Sequence, residues 1–121
     1  MRIAATTLLD LTPHQALSVL EEGLGLSEDE LAGALGSSRR TLQRWRGGSA
    51  YPQHATRQRL TALLELYQRA RETFDGPDAV RLWFQSPSRY LGGITPAEAV
   101  RIGRPERAEA ALEALRSGAF L

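Results

Sequence analysis

Cysteine and lysine are both absent from this chain of 121 residues. The lack of Cys excludes disulfides, thiolate metal sites and Cys nucleophiles, and makes a reducing compartment the expected location. The lack of Lys excludes a Walker A phosphate loop and Schiff-base chemistry. His14 and His54 are the only imidazoles, and no spacing links either of them to a nucleophile or a metal cluster. We therefore expect no enzyme activity, no catalytic residue, no cofactor and no metal.

Long apolar runs and alternating strand-like patterns are also missing. Without about eighteen consecutive apolar residues we expect no membrane span, and Asp10 comes too early for a signal peptide. The absence of period-two patterning argues against β-strands. A cytoplasmic, all-α protein of one or two small helical units is the prediction.

Three helix starts have nearly the same sequence pattern. In each, a hydroxyl residue stands three positions before Gln or Glu, as in a capping box. The three segments are 12–15 (Thr-Pro-His-Gln), 27–30 (Ser-Glu-Asp-Glu) and 95–98 (Thr-Pro-Ala-Glu). Two of them add Pro at the first helical position, where the missing N–H costs nothing.

The apolar residues between Gln53 and Phe74 recur at spacings of three and four, which predicts one long helix. Gly76-Pro77 then breaks the pattern, and a short helix is expected from Pro77 to Phe84. We expect a helix-turn-helix domain over 1–75 and a second small helical domain over 76–121. The last helix should stop at Gly118.

The pattern of residues 24–52 predicts a short helix, a glycine turn and a second short helix, which is typical of a helix-turn-helix motif. The first helix is predicted from Glu28 to Leu35. Gly36 supplies the left-handed turn, and one of the two serines that follow caps a second helix to about Arg46.

The formal net charge of +1 is unevenly distributed. Residues 1–38 have a net charge of −5, residues 39–71 a net charge of +7, and residues 72–121 a net charge of −1. A basic block of this kind attracts polyanions even in a nearly neutral protein. Because every cation is Arg, the block suits bidentate contacts to phosphate or guanine.

Helical phasing separates two sides of the second helix of the motif. Leu42 and Trp45 share the core side with Ser38, while Arg40, Gln43 and Arg44 face outward.

Base contacts are expected near the start of this helix and phosphate contacts along its flanks. Arg39, Arg40 and Gln43 are the expected base readers, because Arg pairs with guanine and Gln with adenine. The predicted DNA-binding set is Ser38, Arg39, Arg40, Gln43, Arg44, Arg46, Arg57 and Arg59. The alternative is a plain helical hairpin whose arginines face solvent.

At this point the sequence resembles the Xre-type antitoxins, particularly the MbcA-like members. The resemblance covers nearly the whole chain. In the first half it lies in residues 30–32, 36–38, 41–42, 44–45 and 48–52. In the second half, which is more specific, it lies in 82–84 (Leu-Trp-Phe), 86–91 (Ser-Pro-Ser-Arg-Tyr-Leu), 95–98 and 118–121 (Gly-Ala-Phe-Leu).

The resemblance implies a partner similar to RES-domain toxins, which consume NAD, with the antitoxin blocking the toxin's pocket. The helix-turn-helix predicts operator DNA as a second partner, and the pairing of two half-sites predicts a homodimer or a toxin–antitoxin hetero-oligomer. The implied toxin-binding residues are Trp83, Arg89, Tyr90, Ser117, Gly118, Ala119, Phe120 and Leu121.

Two of these residues also have a plain structural explanation. Trp83 lies on a helical stripe and suits a core position as well as an interface anchor. Phe120 could fold back on Leu115 or dock into the toxin. Two other functions stay open: a free-standing transcriptional regulator, and a toxin-binding protein whose helix-turn-helix no longer binds DNA.

Overall fold

The computed structural model describes residues 11–118, which form seven helices and no strand. The all-α prediction is confirmed. Short connections join the helices, and the longest irregular segment lies between the fifth and sixth. The helices are α1 Pro13–Leu24, α2 Glu28–Ala34, α3 Arg39–Arg46, α4 His54–Thr73, α5 Pro77–Phe84, α6 Pro96–Arg101 and α7 Pro105–Ser117.

The predicted helix starts are present, but only two of the three capping boxes close. Before α2, Glu30 N–H donates to Ser27 Oγ (3.1 Å) and Ser27 N–H donates to the Glu30 carboxylate (3.0 Å). Thr12 begins α1 in the same way. Thr95 Oγ1 accepts from Glu98 N–H at 2.9 Å, but the Glu98 carboxylate binds the Arg101 guanidinium instead of returning to Thr95.

The helix boundaries agree with the sequence pattern to within one residue. The first helix of the motif ends at Ala34, one residue before the predicted Leu35. The long helix is one residue shorter at each end than predicted. The short helix from Pro77 to Phe84 and the stop at Gly118 occur as predicted.

The turn of the helix-turn-helix is closed by main-chain hydrogen bonds. Gly36 has a φ of 67°, in the left-handed region. Its N–H donates to Gly33 O (3.1 Å), and Ser37 N–H donates to Ala32 O (2.9 Å). This pair of bonds ends α2 as a Schellman motif, which satisfies two of the last carbonyl groups of the helix.

One cluster of buried residues extends through both halves of the chain. Leu17 and Leu20 of α1 pack in it together with Leu63 of α4, Phe84 of α5 and Leu112 of α7. Each of these five side chains is at most 1% exposed. The division at residue 76 stays a prediction, but the residues on its two sides share a core.

Helix α2 also contacts the second half directly, through α6. A Cβ atom added to Gly33 would lie 2.7 Å from the backbone oxygen of Arg101. The absence of a side chain at Gly33 therefore lets the backbones of α2 and α6 approach each other closely. The helix-turn-helix is attached to the C-terminal helices by a close backbone contact.

No helix within residues 11–118 is long and apolar enough to cross a membrane. In the same range, no group of three or more His, Asp or Glu side chains is arranged to hold a metal ion.

Candidate DNA-binding and partner-binding surfaces

The second helix of the motif, α3, has a buried side and an exposed side. Leu42 and Trp45 lie in the core at 0% and 9% exposure. Arg40, Gln43 and Arg44 are exposed. The phasing expected from the sequence is therefore present, and the outward side presents two guanidinium groups and one amide.

Ser38 has a structural task in this arrangement. It is the N-cap of α3, and its Oγ accepts from Thr41 N–H at 3.2 Å. The hydroxyl also lies 3.1 Å from Thr41 Oγ1. A phosphate contact from Ser38 Oγ would have to share this oxygen with the cap.

Arg39 and Arg46, the first and last residues of α3, face the acidic residues of α1 and α2. Arg39 lies 3.4 Å from the Glu28 carboxylate and 3.6 Å from the Asp29 carboxylate. Arg46 lies 2.7 Å from Glu21 and 4.0 Å from Glu28. Arg46 and Glu21 are close enough for an ion pair but are not aligned for a hydrogen bond. Both arginines of this flank thus face carboxylates within the protein.

Two more predicted phosphate-binding residues come from the start of α4. Arg57 donates to Pro52 O at 2.8 Å and lies over the Tyr51 ring at 5.5 Å from its centroid. Arg59 is exposed, and its guanidinium occupies the space that a Cβ at Gly36 would need. Arg59 therefore lies against the turn of the helix-turn-helix, whereas Arg57 is held at the exit of α3.

A groove of about 200 Å³ lies on the C-terminal half, between the loop after α5 and the outer side of α7. Its walls are mostly apolar or aromatic. It is lined by Trp83, Ser86, Pro87, Ser88, Arg89, Tyr90, Ala111 and Leu115. Three residues of the predicted toxin-binding set, Trp83, Arg89 and Tyr90, are brought together here.

Trp83 is packed on one side and exposed on the other. Its ring packs against Phe74 and Phe84, with ring centroids 5.6 and 5.9 Å away. The side chain is nevertheless only half-buried, and part of it lines the groove. Trp83 is therefore both a packed residue and a part of the surface.

The loop between α5 and α6, residues 85–95, forms one rim of the groove and is closed on itself. Ser88 N–H donates to Ile94 O (2.9 Å), and Ser88 O accepts from Gly93 N–H (2.8 Å). Leu91 is 4% exposed and packs with Ala99 and Ala111 beneath the rim. Arg89 and Tyr90 are exposed at the top of the loop.

Two more residues of the predicted toxin-binding set, Ser117 and Gly118, lie at the end of α7. Ser117 and Gly118 are exposed and follow Leu115, which lines the groove. Ala119, Phe120 and Leu121 lie outside the described residues. The chain therefore leaves α7 within one turn of the groove.

The sequence did not single out Leu115 and Pro87 as surface residues. Leu115 is 43% exposed, although its spacing from Ala108, Ala111 and Leu112 predicts a place on the apolar face of the last helix. Its position in the last turn before Gly118 is the sequence feature that could have indicated its exposure. The carboxylates of Glu21, Glu28 and Asp29 were likewise not connected with the arginines of α3, because no sequence spacing reveals a pairing between helices.

Comparison with known proteins gives a consistent result. The family model described as the antitoxin Xre/MbcA/ParS C-terminal toxin-binding domain matches residues 69–118. The mycobacterial cidal antitoxin MbcA of Mycobacterium tuberculosis (strain H37Rv) is 33% identical over 100 residues, which cover 83% of this chain and 88% of the relative. MbcA of Mycobacterium bovis matches with the same identity and coverage.

The fold matches a solved structure as well. The crystal structure of the M. tuberculosis MbcT-MbcA toxin-antitoxin complex contains a chain similar to this one, with a TM-score of 0.65 and 31% identity. The match covers 89% of this chain and 96% of that chain.

Proposed function

This chain belongs to the antitoxin family that shares the Xre/MbcA/ParS C-terminal toxin-binding domain, and we propose that it neutralises a RES-type, NAD-consuming toxin by covering the toxin's active site. As a family member it is an antitoxin of a toxin–antitoxin system. The RES identity of the toxin and the occlusion of its pocket belong to the proposal, as does a cytoplasmic location.

The observation that supports the proposal best is the position of the apolar groove. All the residues that line it fall inside the segment 69–118 matched by the toxin-binding model. Trp83 and Tyr90 are aromatic, and Arg89 adds a cation at the rim. Aromatic residues and Arg are the types that most often dominate binding energy at protein interfaces.

The groove also has the form expected of a docking site. Binding is stabilised when a partner's apolar side chain displaces water from the apolar walls of the groove. The rim is polar, so that a wrong partner would leave Arg89 desolvated without a partner charge. We therefore place the centre of the toxin interface at Trp83, Tyr90 and Leu115.

The experiment compares two Leu→Asp variants in co-expression with the product of the adjacent reading frame. Leu115→Asp puts a charge into the groove, and Leu82→Asp makes the same change at a 70% exposed site of α5 outside it. Growth, cellular NAD and co-purification of the two proteins are measured. The wild type and Leu82→Asp should restore growth and NAD and retain the partner, whereas Leu115→Asp should do neither.

Circular dichroism of both variants controls for folding. If folded Leu115→Asp protects as well as Leu82→Asp, the groove is not the interface. If the wild type neither protects the cells nor binds the partner, the proposed function is wrong. If cellular NAD stays unchanged while the toxin alone arrests growth, the proposed RES-type, NAD-consuming reaction is wrong.

The helix-turn-helix supports a second function, which is autorepression through binding to operator DNA. The supporting observation is the exposed side of α3, where Arg40, Gln43 and Arg44 stand together. A homodimer or a toxin–antitoxin hetero-oligomer would place two such helices on two half-sites.

The remaining alternatives are separated by removing the tail. Deletion of residues 117–121 should abolish neutralisation and leave DNA binding intact if the tail docks into the toxin. If DNA binding and every cellular phenotype survive the deletion, the tail is not an inhibitory plug. Neutralisation by a wild type that never binds DNA would favour a degenerate helix-turn-helix.

A further inference from the structure

Two rows of arginine run along α3, and they differ in their surroundings. Arg40 and Arg44 are on the exposed side, and the ion pairs found within residues 11–118 do not involve them. Arg39 and Arg46 are seven residues apart and share the other flank. Glu28 lies between these two, 3.4 Å from Arg39 and 4.0 Å from Arg46.

The two pairings on this flank are not equally firm. The Arg46 and Glu21 side chains are only 23% and 25% exposed, and their contact is 2.7 Å. The Arg39 and Asp29 side chains are 59% and 74% exposed, and their contact is 3.6 Å. Arg39 also donates a 3.4 Å hydrogen bond to Glu28. Arg46 is thus fixed between helices, whereas Arg39 is held by two longer, more exposed contacts that another anion can replace.

We propose that Glu28 and Asp29 compete with the phosphates of DNA for Arg39 and so lower the affinity of α3 for DNA of any sequence. The inference rests on the DNA-binding part of the proposed function. A phosphate that approaches Arg39 must displace the carboxylates and is repelled by their charge. The exposed side of α3 does not face these carboxylates and keeps its full attraction.

The consequence is that contacts to phosphates and contacts to bases come from different sides of α3. Non-specific affinity for DNA comes mostly from contacts to the phosphates, which contain no sequence information. Arg39, one of the base readers expected from the sequence, lies on the flank of α3 and is assigned to a phosphate contact in this proposal. Weakening that contact lowers non-specific binding, while Arg40 and Gln43 remain available for base edges. In this arrangement Arg46 is a positioning residue that ties the end of α3 to α1 through Glu21.

The test is binding of the full-length protein to a random-sequence DNA duplex at low and physiological salt. Asp29→Asn removes one charge at the second residue of α2. Asp78→Asn is the matched control, since it removes one charge at the second residue of α5, where Asp78 is 97% exposed and paired with Arg81. We expect Asp29→Asn to bind roughly 2- to 5-fold more tightly at low salt, the factor of an exposed ion pair, and Asp78→Asn to bind as the wild type does.

A double-mutant cycle with Arg39→Ala shows whether Asp29 acts through Arg39. If it does, most of the gain from Asp29→Asn disappears in the Arg39→Ala background. A gain that persists in full means simple repulsion of DNA by Asp29, and overturns the competition.

The failure of the inference can be distinguished from the failure of DNA binding itself. Binding by the wild type with no gain in Asp29→Asn overturns the inference alone. If neither the wild type nor Asp29→Asn binds, both the inference and the DNA-binding function fall. Binding seen only with Asp29→Asn supports both.

Discussion

Gly33 in α2 lies directly against the backbone carbonyl of Arg101 in α6, where a Cβ on the glycine would stand 2.7 Å from the carbonyl oxygen. The helix-turn-helix and the C-terminal helices therefore meet through main chain, and neither helix can move toward the other. The contact makes the orientation of the two halves sensitive to a single methyl group.

Gly33→Ala should destabilise the protein by about 1–3 kcal/mol, because the new methyl group collides with backbone that cannot rotate away. Urea unfolding followed by circular dichroism measures the change. Gly47→Ala is the control, since Gly47 has a φ of −80° and its added Cβ would lie 3.4 Å from Gln43 O. Equal stability of the two variants would contradict the close contact of α2 with α6.

Phe84→Ala tests whether the shared core couples the two halves. The side chain is fully buried, so its removal should cost about 3–5 kcal/mol. Because Phe84 packs in the same cluster as Leu17 and Leu20, hydrogen exchange of these two α1 amides should accelerate in step with the loss of stability.

Leu82→Ala, on the exposed side of the same helix, should change stability by no more than about 0.5 kcal/mol. Unchanged exchange in α1 of the Phe84→Ala protein would mean that residues 1–75 unfold independently of residues 76–121.

Glu98 provides a pH-dependent contribution to stability. The hydrogen bond from Arg101 holds the pKa of this carboxyl below its ordinary value of 4.5. A pKa that is lower in the folded state than in the unfolded state stabilises the fold at neutral pH, and this contribution is lost as the pH falls through the folded-state pKa. Thermal unfolding should therefore show Glu98→Gln less stable than the wild type at neutral pH, with the difference shrinking below about pH 4.5. A difference that does not change with pH would contradict the role of the charged pair.

Arg44→Ala should weaken binding to all DNA sequences alike. If Arg44 contacts one phosphate, the slope of log affinity against log salt should fall by about one unit. Arg116→Ala, an exposed arginine in the last turn of α7, is the control and should leave the slope unchanged. An unchanged slope in Arg44→Ala would remove this residue from the DNA contact set.

The order of helices and their ends could be predicted because each depends on residues close together in sequence. Ser27 with Glu30 and the glycine at 36 are local signals, and the structure uses them as expected. The phasing that buries Trp45 is local too.

Pairings between helices had no such signal. Glu98 has the spacing of a capping-box residue, but Arg101, one turn later, offers a charged donor that outcompetes the Thr95 amide. Arg46 has the phase of a flank residue, and only the crossing of α3 with α1 shows that Glu21 neutralises it. The groove likewise has no local signal in the sequence, since it forms where the loop after α5 lies against α7.

That loop has an evolutionary consequence. The bonds between Ser88, Gly93 and Ile94 are made by main-chain atoms, so the shape of the rim does not depend on which side chains stand at positions 89 and 90. Arg89 and Tyr90 can be exchanged while the backbone beneath them is retained. In the proposed toxin interface, substitutions at these two positions would therefore change partner specificity without requiring a new fold.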